Sequence, residues 1–358
     1  MLRKISLLAI AMAGAQYGIA QDTTVVEEKK STTTISGFAD VYYRYDFNKN
    51  ISNNRTSFTN SQNSFELGMA SLRIDHTIGK VSMTADLGFG KRAQEFSYNE
   101  SGIVAAIKQL YVSYAATDWL KFTAGSWATH VGYELVDAPA NRNYSMSYMF
   151  SYGPFFHTGV KAEMTFGKLG LMAGIANPTD WKSAPVDSKK FALAQVSYAF
   201  NDNWKAYLNY VGGQRPSDSA KTNQLDLVIT GKLSDKFSIG ANTTVQMQKY
   251  QVDNKYESDA KKWWGAALYL SADPSELFGL TLRSEIFGDK QQLAAMSYAP
   301  VGANVWANTL SANFRLFGAL TIIPELRFEN SSQKIFYDEE GAAKGSYVSG
   351  LIAAVYKF

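Results

Sequence analysis

Apolar and polar side chains alternate with a period of two along most of the chain. In the first such run, Ile35, Val41 and Phe47 fall on one face, and Asp40 and Arg44 fall on the other. Successive side chains of a β-strand point to opposite faces, so this period is typical of a strand with one apolar and one polar face. We predict a long amphipathic strand here, and the same pattern returns as far as the last residue.

The interruptions between these runs alternate between short turns and long polar stretches. The short turns have the residue types of tight hairpins and lie at Gly79–Lys80, Thr117–Asp118, Gly167–Lys168, Asn201–Asn203, Ser234–Lys236, Asp273–Pro274 and Phe317–Gly318. The long stretches lie near residues 48–63, 91–104, 130–154, 178–189, 213–222, 251–261, 288–303 and 331–346. About seven short turns and about eight long loops predict an all-β fold, a transmembrane antiparallel β-barrel of about 16 strands with short periplasmic turns and long extracellular loops.

The beginning of the chain has the organisation of a secretory signal peptide. Arg3 and Lys4 precede an apolar run at 5–15, and small residues follow at 18–20. The run of about 11 residues is shorter than the roughly 20 that a transmembrane helix needs. We therefore predict a signal peptide at residues 1–20, a flexible periplasmic N-terminal segment at 21–34 and a barrel at 35–358, in the cell outer membrane of a Gram-negative bacterium.

The end of the chain carries a second targeting signal. Val348, Ile352, Tyr356 and the terminal Phe358 share one strand face, a pattern that resembles the insertion signal of outer-membrane barrels. We expect Tyr356 and Phe358 to form this membrane-insertion signal. An edge strand of a soluble protein could also end in phenylalanine, but a soluble fold would leave the apolar, aromatic outer rows unexplained.

Composition narrows the function classes. The chain contains no cysteine, which excludes a disulfide scaffold and a lipid-carrying cysteine. It contains 35 basic and 32 acidic residues, and without Arg3 and Lys4 its net charge is about +1. Binding of nucleic acid would need a concentrated basic face. No nucleic-acid partner is therefore expected.

The longest polar stretch, residues 130–154, and the five residues after it contain a series of short motifs. They are Gly132-Tyr133-Glu134, then Asn141 with Asn143-Tyr144-Ser145, and finally Gly153-Pro154-Phe155 before His157-Thr158-Gly159. With these motifs the chain resembles the OmpL-like β-barrel porin family, and the general layout agrees over essentially the whole chain after the signal peptide. The resemblance implies an outer-membrane channel and leaves its substrate open.

A barrel of about sixteen strands is wide enough to leave an aqueous channel. We therefore expect an outer-membrane porin for passive diffusion of small hydrophilic solutes or ions, surrounded by outer-membrane lipid, as a homotrimer or in a partner assembly. The alternative is a structural or plug-type barrel subunit of a larger outer-membrane secretion or surface assembly. Apolar loops or an ordered N-terminal extension would favour that alternative, and residues 21–34 are short and polar.

The stretch 130–154 is far longer than an ordinary hairpin loop, and loops of this length are usually functional or disordered. Its many aromatic residues need a packing surface, so we expect it to fold inward and narrow the pore; the alternative is a surface lid. The constriction-loop candidates are Tyr133, Glu134, Asp137, Asn141, Arg142, Asn143 and Tyr144. Acids opposite a base at the narrow point would make a transverse field that favours hydrated solutes.

Charged residues on the polar strand faces form a second set. A charge that faces lipid near the midplane costs a few kcal/mol, so these side chains are expected to point into the lumen. The pore-lining candidates are Arg44, Arg73, Asp86, Lys161, Glu163, Arg283, Glu285, Arg315, Glu325 and Arg327. They either line a polar conduit or pair with one another to brace the lumen, and the balance of signs predicts weak ion selectivity.

Motifs that could indicate catalysis, nucleotide binding or metal binding lack the neighbouring elements or the residue spacing that these functions require. Gly88–Ala93 matches a dinucleotide-binding fingerprint, but neither a helix nor a parallel βαβ unit is predicted after it. The three histidines, His76, His130 and His157, are not at metal-ligand spacing, and no nucleophile-elbow pattern occurs. We expect no enzyme activity, no catalytic residues, no cofactor and no metal.

Overall fold

The computed structural model describes residues 31–253 and 255–358, and in this part of the chain sixteen strands close into an antiparallel barrel. Each strand pairs with its neighbours along the chain, and the last strand pairs with the first, where Phe38 lies opposite Lys357 and Asp46 opposite Ser349. Closure removes the strand edges that an open sheet would leave unpaired. The predicted all-β antiparallel barrel of about 16 strands is confirmed.

The barrel strands are β1 Ser31–Asp46, β2 Ser64–Ile78, β3 Val81–Phe89, β4 Ile107–Ala115, β5 Leu120–Ala128, β6 Phe156–Phe166, β7 Leu169–Ala176, β8 Phe191–Ala199, β9 Trp204–Gln214, β10 Lys221–Lys232, β11 Phe237–Lys249, β12 Lys261–Ser275, β13 Phe278–Asp289, β14 Ala303–Leu316, β15 Leu320–Ser331 and β16 Ser346–Lys357. Two small hairpins lie in the long connections, Gln251–Val252 with Lys255–Tyr256 and Phe336–Tyr337 with Ala343–Lys344. The helices are α1 Lys91–Phe96 and α2 Tyr148–Tyr152, with 3-10 turns at Ile51–Asn53, Gly102–Ala106 and Ala138–Ala140. No helix in the described ranges is long and apolar enough to cross a membrane.

The predicted turn at Asp273–Pro274 is wrong. Strand β12 continues to Ser275, and the connection to β13 is formed by residues 276–277. The register between the two strands shifts between Ala272 and Ser275, as at a β-bulge. A bulge tolerates a proline inside a strand because one residue there needs no ladder partner. Turn propensity alone therefore placed this turn three residues too early.

The predicted start of the barrel at Ile35 is four residues late. Strand β1 begins at Ser31, and Thr33 and Thr34 lie opposite His76 and Asp75 of β2. The β-branched threonines suit a strand once a partner strand is present, so the prediction of a flexible segment is wrong for residues 31–34. The predicted signal peptide at 1–20 and the remainder of the segment, 21–30, lie outside the described residues.

The two faces of the strands differ as the alternation predicts. In β15, Leu326 and Phe328 are exposed on the outside, whereas Glu325 and Arg327 on the opposite face are buried. The outside therefore offers an apolar band, and the charged side chains point into the barrel. A lipid environment favours this arrangement because an outward charge would lose its hydration.

Helix α1 begins within the Gly88–Ala93 motif, at Lys91, and ends at Phe96, contrary to the expectation that no helix is formed there. Ala93 and Phe96 are buried in an apolar cluster inside the barrel, and this packing stabilises a helix that the local sequence does not predict. The strands before and after it, β3 and β4, are antiparallel. The parallel βαβ unit of a dinucleotide site is therefore not formed.

Candidate functional site in the barrel lumen

Residues 129–155, which connect β5 and β6, lie inside the barrel and are called the inserted segment below. Tyr148 and Met149 belong to a buried cluster with Trp263 of β12 and Phe287 of β13. The rings of Tyr148 and Phe287 stack with centroids 5.2 Å apart. These strand residues share the inward face of the wall, so the segment packs on the wall from within, and its aromatic residues have the apolar surface that they require.

The inserted segment is held in shape by its own polar residues. The hydroxyl of Ser147 caps α2 by accepting a hydrogen bond from the Phe150 N–H at 3.1 Å. The side-chain oxygen of Asn141 accepts from the Leu135 N–H at 3.0 Å, and its amide nitrogen donates to the carbonyl of Asp137 at 3.2 Å. The segment is thus an ordered insertion with local caps, not an extended loop.

Carboxylates of the barrel wall bind the backbone of the segment. Glu325 of β15 accepts from the Tyr144 N–H at 2.8 Å. Glu285 of β13 accepts from the N–H groups of Tyr148 and Met149 at 2.9 and 3.0 Å. Buried N–H groups need such partners, and a charged acceptor makes the bond stronger.

Arg283 of β13 is the centre of this contact and is completely buried. Its guanidinium donates to the Glu134 carboxylate at 2.5 Å and to the carbonyls of Ser145 and Met146 at 2.7 and 3.2 Å. Arg327 of β15 donates to the same Met146 carbonyl at 2.7 Å. One arginine therefore binds both the beginning and the middle of the segment.

Two tyrosine hydroxyls complete the contact. Tyr144 donates to Asp40 of β1, and Tyr148 donates to Glu329 of β15. The wall residues that hold the segment share an inward position on β1, β13 and β15 and a formal charge; together we call them the charged wall: Asp40, Arg283, Glu285, Glu325, Arg327 and Glu329. The inserted segment covers this side of the lumen.

Charges of the segment pair with the wall instead of facing one another across an open pore. Beyond the Glu134–Arg283 pair, the Lys108 amine lies 2.6 Å from the Asp137 carboxylate and 3.1 Å from Asp86. Arg142 of the segment and Arg315 of β14 both contact Asp273, at 2.6 and 2.5 Å. The expected transverse field between acids and a base of the segment is therefore not what the structure shows.

The other predicted pore-lining residues differ in burial. The segment covers four of them, Arg283, Glu285, Glu325 and Arg327. Arg44 is also buried, and it donates to the Ser61 carbonyl of the β1–β2 loop at 2.7 Å. The partly exposed ones form separate pairs, Arg73 with Asp75 at 2.7 Å and Lys161 with Glu163 at 3.3 Å. The other segment candidates contact the wall as well, Tyr133 by stacking on Tyr269 at 4.0 Å and Asn143 by donating to Ser311 at 2.6 Å.

The opposite side of the lumen is lined by neutral amides and one acid. These residues lie on β8–β11 and form what we call the amide wall: Gln195, Asn209, Gln224, Asp226, Asn242, Gln246 and Gln248. They are joined by hydrogen bonds, for example from Gln248 to Gln246 at 2.7 Å and from Gln195 to Asn209 at 2.8 Å. The six amides are not among the predicted pore-lining residues because that prediction selects charged side chains. The alternating amides of β11 are the feature of the sequence that indicates them.

Two cavities border the amide wall. The outer cavity, of about 290 Å³, lies toward the long loops beside Gln224 and Gln246. The inner cavity, of about 450 Å³, lies toward the short turns beside Gln195 and Asn209. Asp226 is placed between them on β10, where it accepts from the Gly132 N–H of the inserted segment at 3.0 Å. The segment therefore touches the amide wall at the level that separates the cavities.

The end of the inserted segment is fixed by Asp180 in the loop between β7 and β8. Its carboxylate accepts from the N–H groups of Phe155 and Phe156 at 2.7 and 3.0 Å and from the Tyr98 hydroxyl at 2.9 Å. Burial of this carboxylate raises the pKa of Asp180 to about 6. The loops at the outer rim thus control where the segment returns to the wall.

Residues 32–358 match the family model described as "Putative beta-barrel porin-2, OmpL-like". The chain belongs to this porin family. The resemblance seen in the motifs of residues 130–159 is confirmed, and the protein is an outer-membrane porin of the Gram-negative type. No curated protein matches this porin in sequence.

Solved structures share the porin fold at low sequence identity. The anion-selective porin from Comamonas acidovorans has a TM-score of 0.61 and 13% identity, with coverage of 92% of this chain and 100% of that one. The outer membrane channel DcaP of Acinetobacter baumannii has a TM-score of 0.62 and 12% identity, covering 92% and 97%. The trimer form of OmpT from Vibrio cholerae has a TM-score of 0.58 and 11% identity, covering 92% and 99%. At these identities the likeness establishes the fold alone.

Proposed function

We propose that this porin allows passive diffusion of small hydrophilic solutes or ions, without catalysis or a cofactor, along the amide wall. The observation that carries the proposal is the one-sided position of the inserted segment. It covers the charged wall through Arg283, Glu285 and Glu325, while both cavities border the amides of β8–β11. In this proposal the segment is the constriction, and the charges beneath it hold it in place.

The physical basis is the difference between the two walls. Under the segment, charged groups are desolvated and their hydrogen bonds are directed at the segment backbone, so water and solutes have no access to them. On the amide wall, Gln195 and Gln246 are only partly buried and border open volume. Water in that volume can exchange hydrogen bonds with a passing solute.

Single-channel conductance of the purified protein in planar bilayers tests the proposal. We expect discrete openings, and we expect a larger conductance when residues 133–152 are replaced by a short glycine-serine linker. The matched control shortens the hairpin tip at 339–342, which is exposed, and should leave the conductance unchanged. A folded barrel without conductance at any voltage would instead favour the structural or plug-type barrel, and an unchanged conductance after the linker replacement would show that the segment is not the constriction.

The assembly state and the membrane partners are a separate part of the proposal. We infer a homotrimer in outer-membrane lipid, supported by the trimer form of the Vibrio cholerae neighbour and by the apolar outer band, on which Phe65 and Leu67 of β2 are among the most exposed side chains. Native mass spectrometry from mild detergent should give three chains per particle. A single chain under all mild conditions contradicts this inference.

A further inference from the structure

The outer cavity is a compact space with a neutral polar lining. It lies between the amide wall, the end of the inserted segment and the β7–β8 loop, and its lining includes Thr222, Gln224, Gln246 and Gln248 together with the rings of Tyr152 and Trp181. Its volume of about 290 Å³ is close to the lower limit of small-molecule sites, roughly 300–1,000 Å³. The space therefore suits one small solute.

The glutamines of this cavity form a ladder with hydrogen-bonding capacity to spare. Gln248 donates to Gln246 at 2.7 Å, Gln246 donates to Gln224 at 3.2 Å, and Gln224 donates to the Thr244 hydroxyl at 3.0 Å. Each terminal amide has two N–H groups, and the ladder uses one from each glutamine. Three amides that line the cavity thus each retain an unused N–H donor.

A buried hydroxyl in the same lining has no partner. The Thr222 hydroxyl is shielded from solvent and makes no hydrogen bond with any residue that the structure describes. Thr222 itself is 8% exposed. An unsatisfied buried polar group costs on the order of 1–3 kcal/mol, so rotation of this side chain toward a solute hydroxyl in the cavity would remove that cost.

The charged groups of the lining already have hydrogen-bond or ion-pair partners. Asp180 accepts three hydrogen bonds, from two backbone N–H groups and the Tyr98 hydroxyl. The Arg215 guanidinium lies 3.4 Å from Asp218 and donates to Gln248 at 3.2 Å. A charged solute would lose hydration here without gaining an unpaired opposite charge.

We propose that the outer cavity binds one uncharged, hydroxyl-rich solute of about the size of a sugar ring, and that Gln224 and Gln246 determine this specificity. The inference rests on the proposed channel function and names the solute class for it. Alternating donors and acceptors match hydroxyl groups, which both donate and accept. The rings of Tyr152 and Trp181 offer the apolar faces that the C–H groups of a sugar ring require.

Block of the ion current by added solutes tests the proposal. We expect glucose to reduce the single-channel current in a saturable manner, whereas triethylene glycol, which has few hydroxyls, acts only through viscosity. Gluconate, with the same carbon chain and a negative charge, should block less than glucose. Gln224→Leu and Gln246→Leu should each raise the half-blocking glucose concentration about tenfold, the effect of losing one or two hydrogen bonds. Gln333→Leu, at an exposed position, is the matched control and should not change it.

Saturation-transfer NMR on the detergent-solubilised protein measures the binding of glucose without requiring ion conduction. Transfer from protein to glucose that Gln246→Leu weakens supports the site, and no transfer overturns it whether or not the channel conducts. Equal effects of glucose and triethylene glycol, stronger block by gluconate, or glucose block unaltered in both leucine variants also overturn it. An ion current without any glucose block rejects this inference alone, whereas the absence of ion current rejects the proposed channel.

Discussion

Replacement of Arg283 by methionine removes the residue that binds both the beginning and the middle of the inserted segment. The guanidinium is fully buried and contacts the Glu134 carboxylate and the carbonyls of Ser145 and Met146. Methionine is unbranched and uncharged and, although shorter than arginine, is flexible enough to fill much of the space that the arginine side chain leaves. It does leave Glu134 as a buried carboxylate without its cation.

The free-energy cost of the substitution follows from the burial of the Arg283–Glu134 ion pair. Removal of one partner of a buried ion pair costs about 3–5 kcal/mol. The ladder hydrogen bonds of β13 do not use the arginine side chain, so we expect this cost to fall on the docking of the segment and not on the barrel. A shift of 1.4 kcal/mol is tenfold in an equilibrium constant, which makes the undocked state roughly 100- to 4,000-fold more populated.

Single-channel recording in planar bilayers is the assay, with folding of the variant verified by heat-modifiable mobility on gels. We expect longer or larger openings in Arg283→Met, and faster proteolysis within residues 129–155. Arg73→Met is the matched control because Arg73 pairs only with Asp75 on its own strand. A partial return toward the original conductance is expected when Glu134→Gln is added. A folded Arg283→Met barrel with unaltered conductance and unaltered proteolysis would refute the reasoning.

Three further predictions concern other contacts. Asp226→Asn replaces a carboxylate that accepts hydrogen bonds from Gly132, Asn209 and Asn242 by an amide that offers fewer acceptor sites. The bond to Gly132 of the inserted segment should weaken, and we expect a noisier single-channel current. Current noise equal to that of the original protein would contradict a gating role for this contact. The raised pKa of Asp180, about 6 against the ordinary 3.8, means that the docked state binds this proton more tightly than the undocked state. Docking of the segment's end is therefore strongest below about pH 4 and weakens by on the order of 3 kcal/mol as the pH rises through 6; hydrogen exchange of the Phe155 amide should report this in the original protein and not in Asp180→Asn. Phe358→Ala should lower the yield of inserted barrel severalfold if the terminal aromatic is the insertion signal, and an unchanged yield would show that it is not.

The barrel was predictable because its determinants are local. Alternation along single strands and turn residues between them depend on nearby positions, and an even number of strands lets the last strand pair antiparallel with the first. The error at Asp273–Pro274 shows the limit of this reasoning, since a bulge depends on the partner strand and not on the residues that form it. The threonines at 32–34 are similar, because only pairing with β2 makes them a strand.

The inward direction of the inserted segment depends on contacts between distant parts of the chain. The same contacts decide that the amide wall stays uncovered. Glu134 and Arg283, for example, are 149 residues apart, and nothing near either residue indicates the other. Charged residues of the polar faces, such as Arg283 and Glu325, are buried inside the barrel, but which charged residues remain open to the lumen depends on the segment that covers them. The neutral amides are not among the predicted pore-lining residues because a strand face of glutamines has the same sequence pattern as any strand face in contact with water.

Cysteine accessibility is the most direct test of the account that the segment covers the charged wall and leaves the path along the amide wall. The protein has no cysteine of its own, so single cysteines can be introduced at Gln246 on the amide wall and at Ser311, which is buried against Asn143 and Glu325. We predict that a charged methanethiosulfonate reagent reacts rapidly with Gln246→Cys and reduces its single-channel current, while Ser311→Cys stays unreactive. Equal reactivity at both positions, or modification at Gln246→Cys without any change in current, would contradict it.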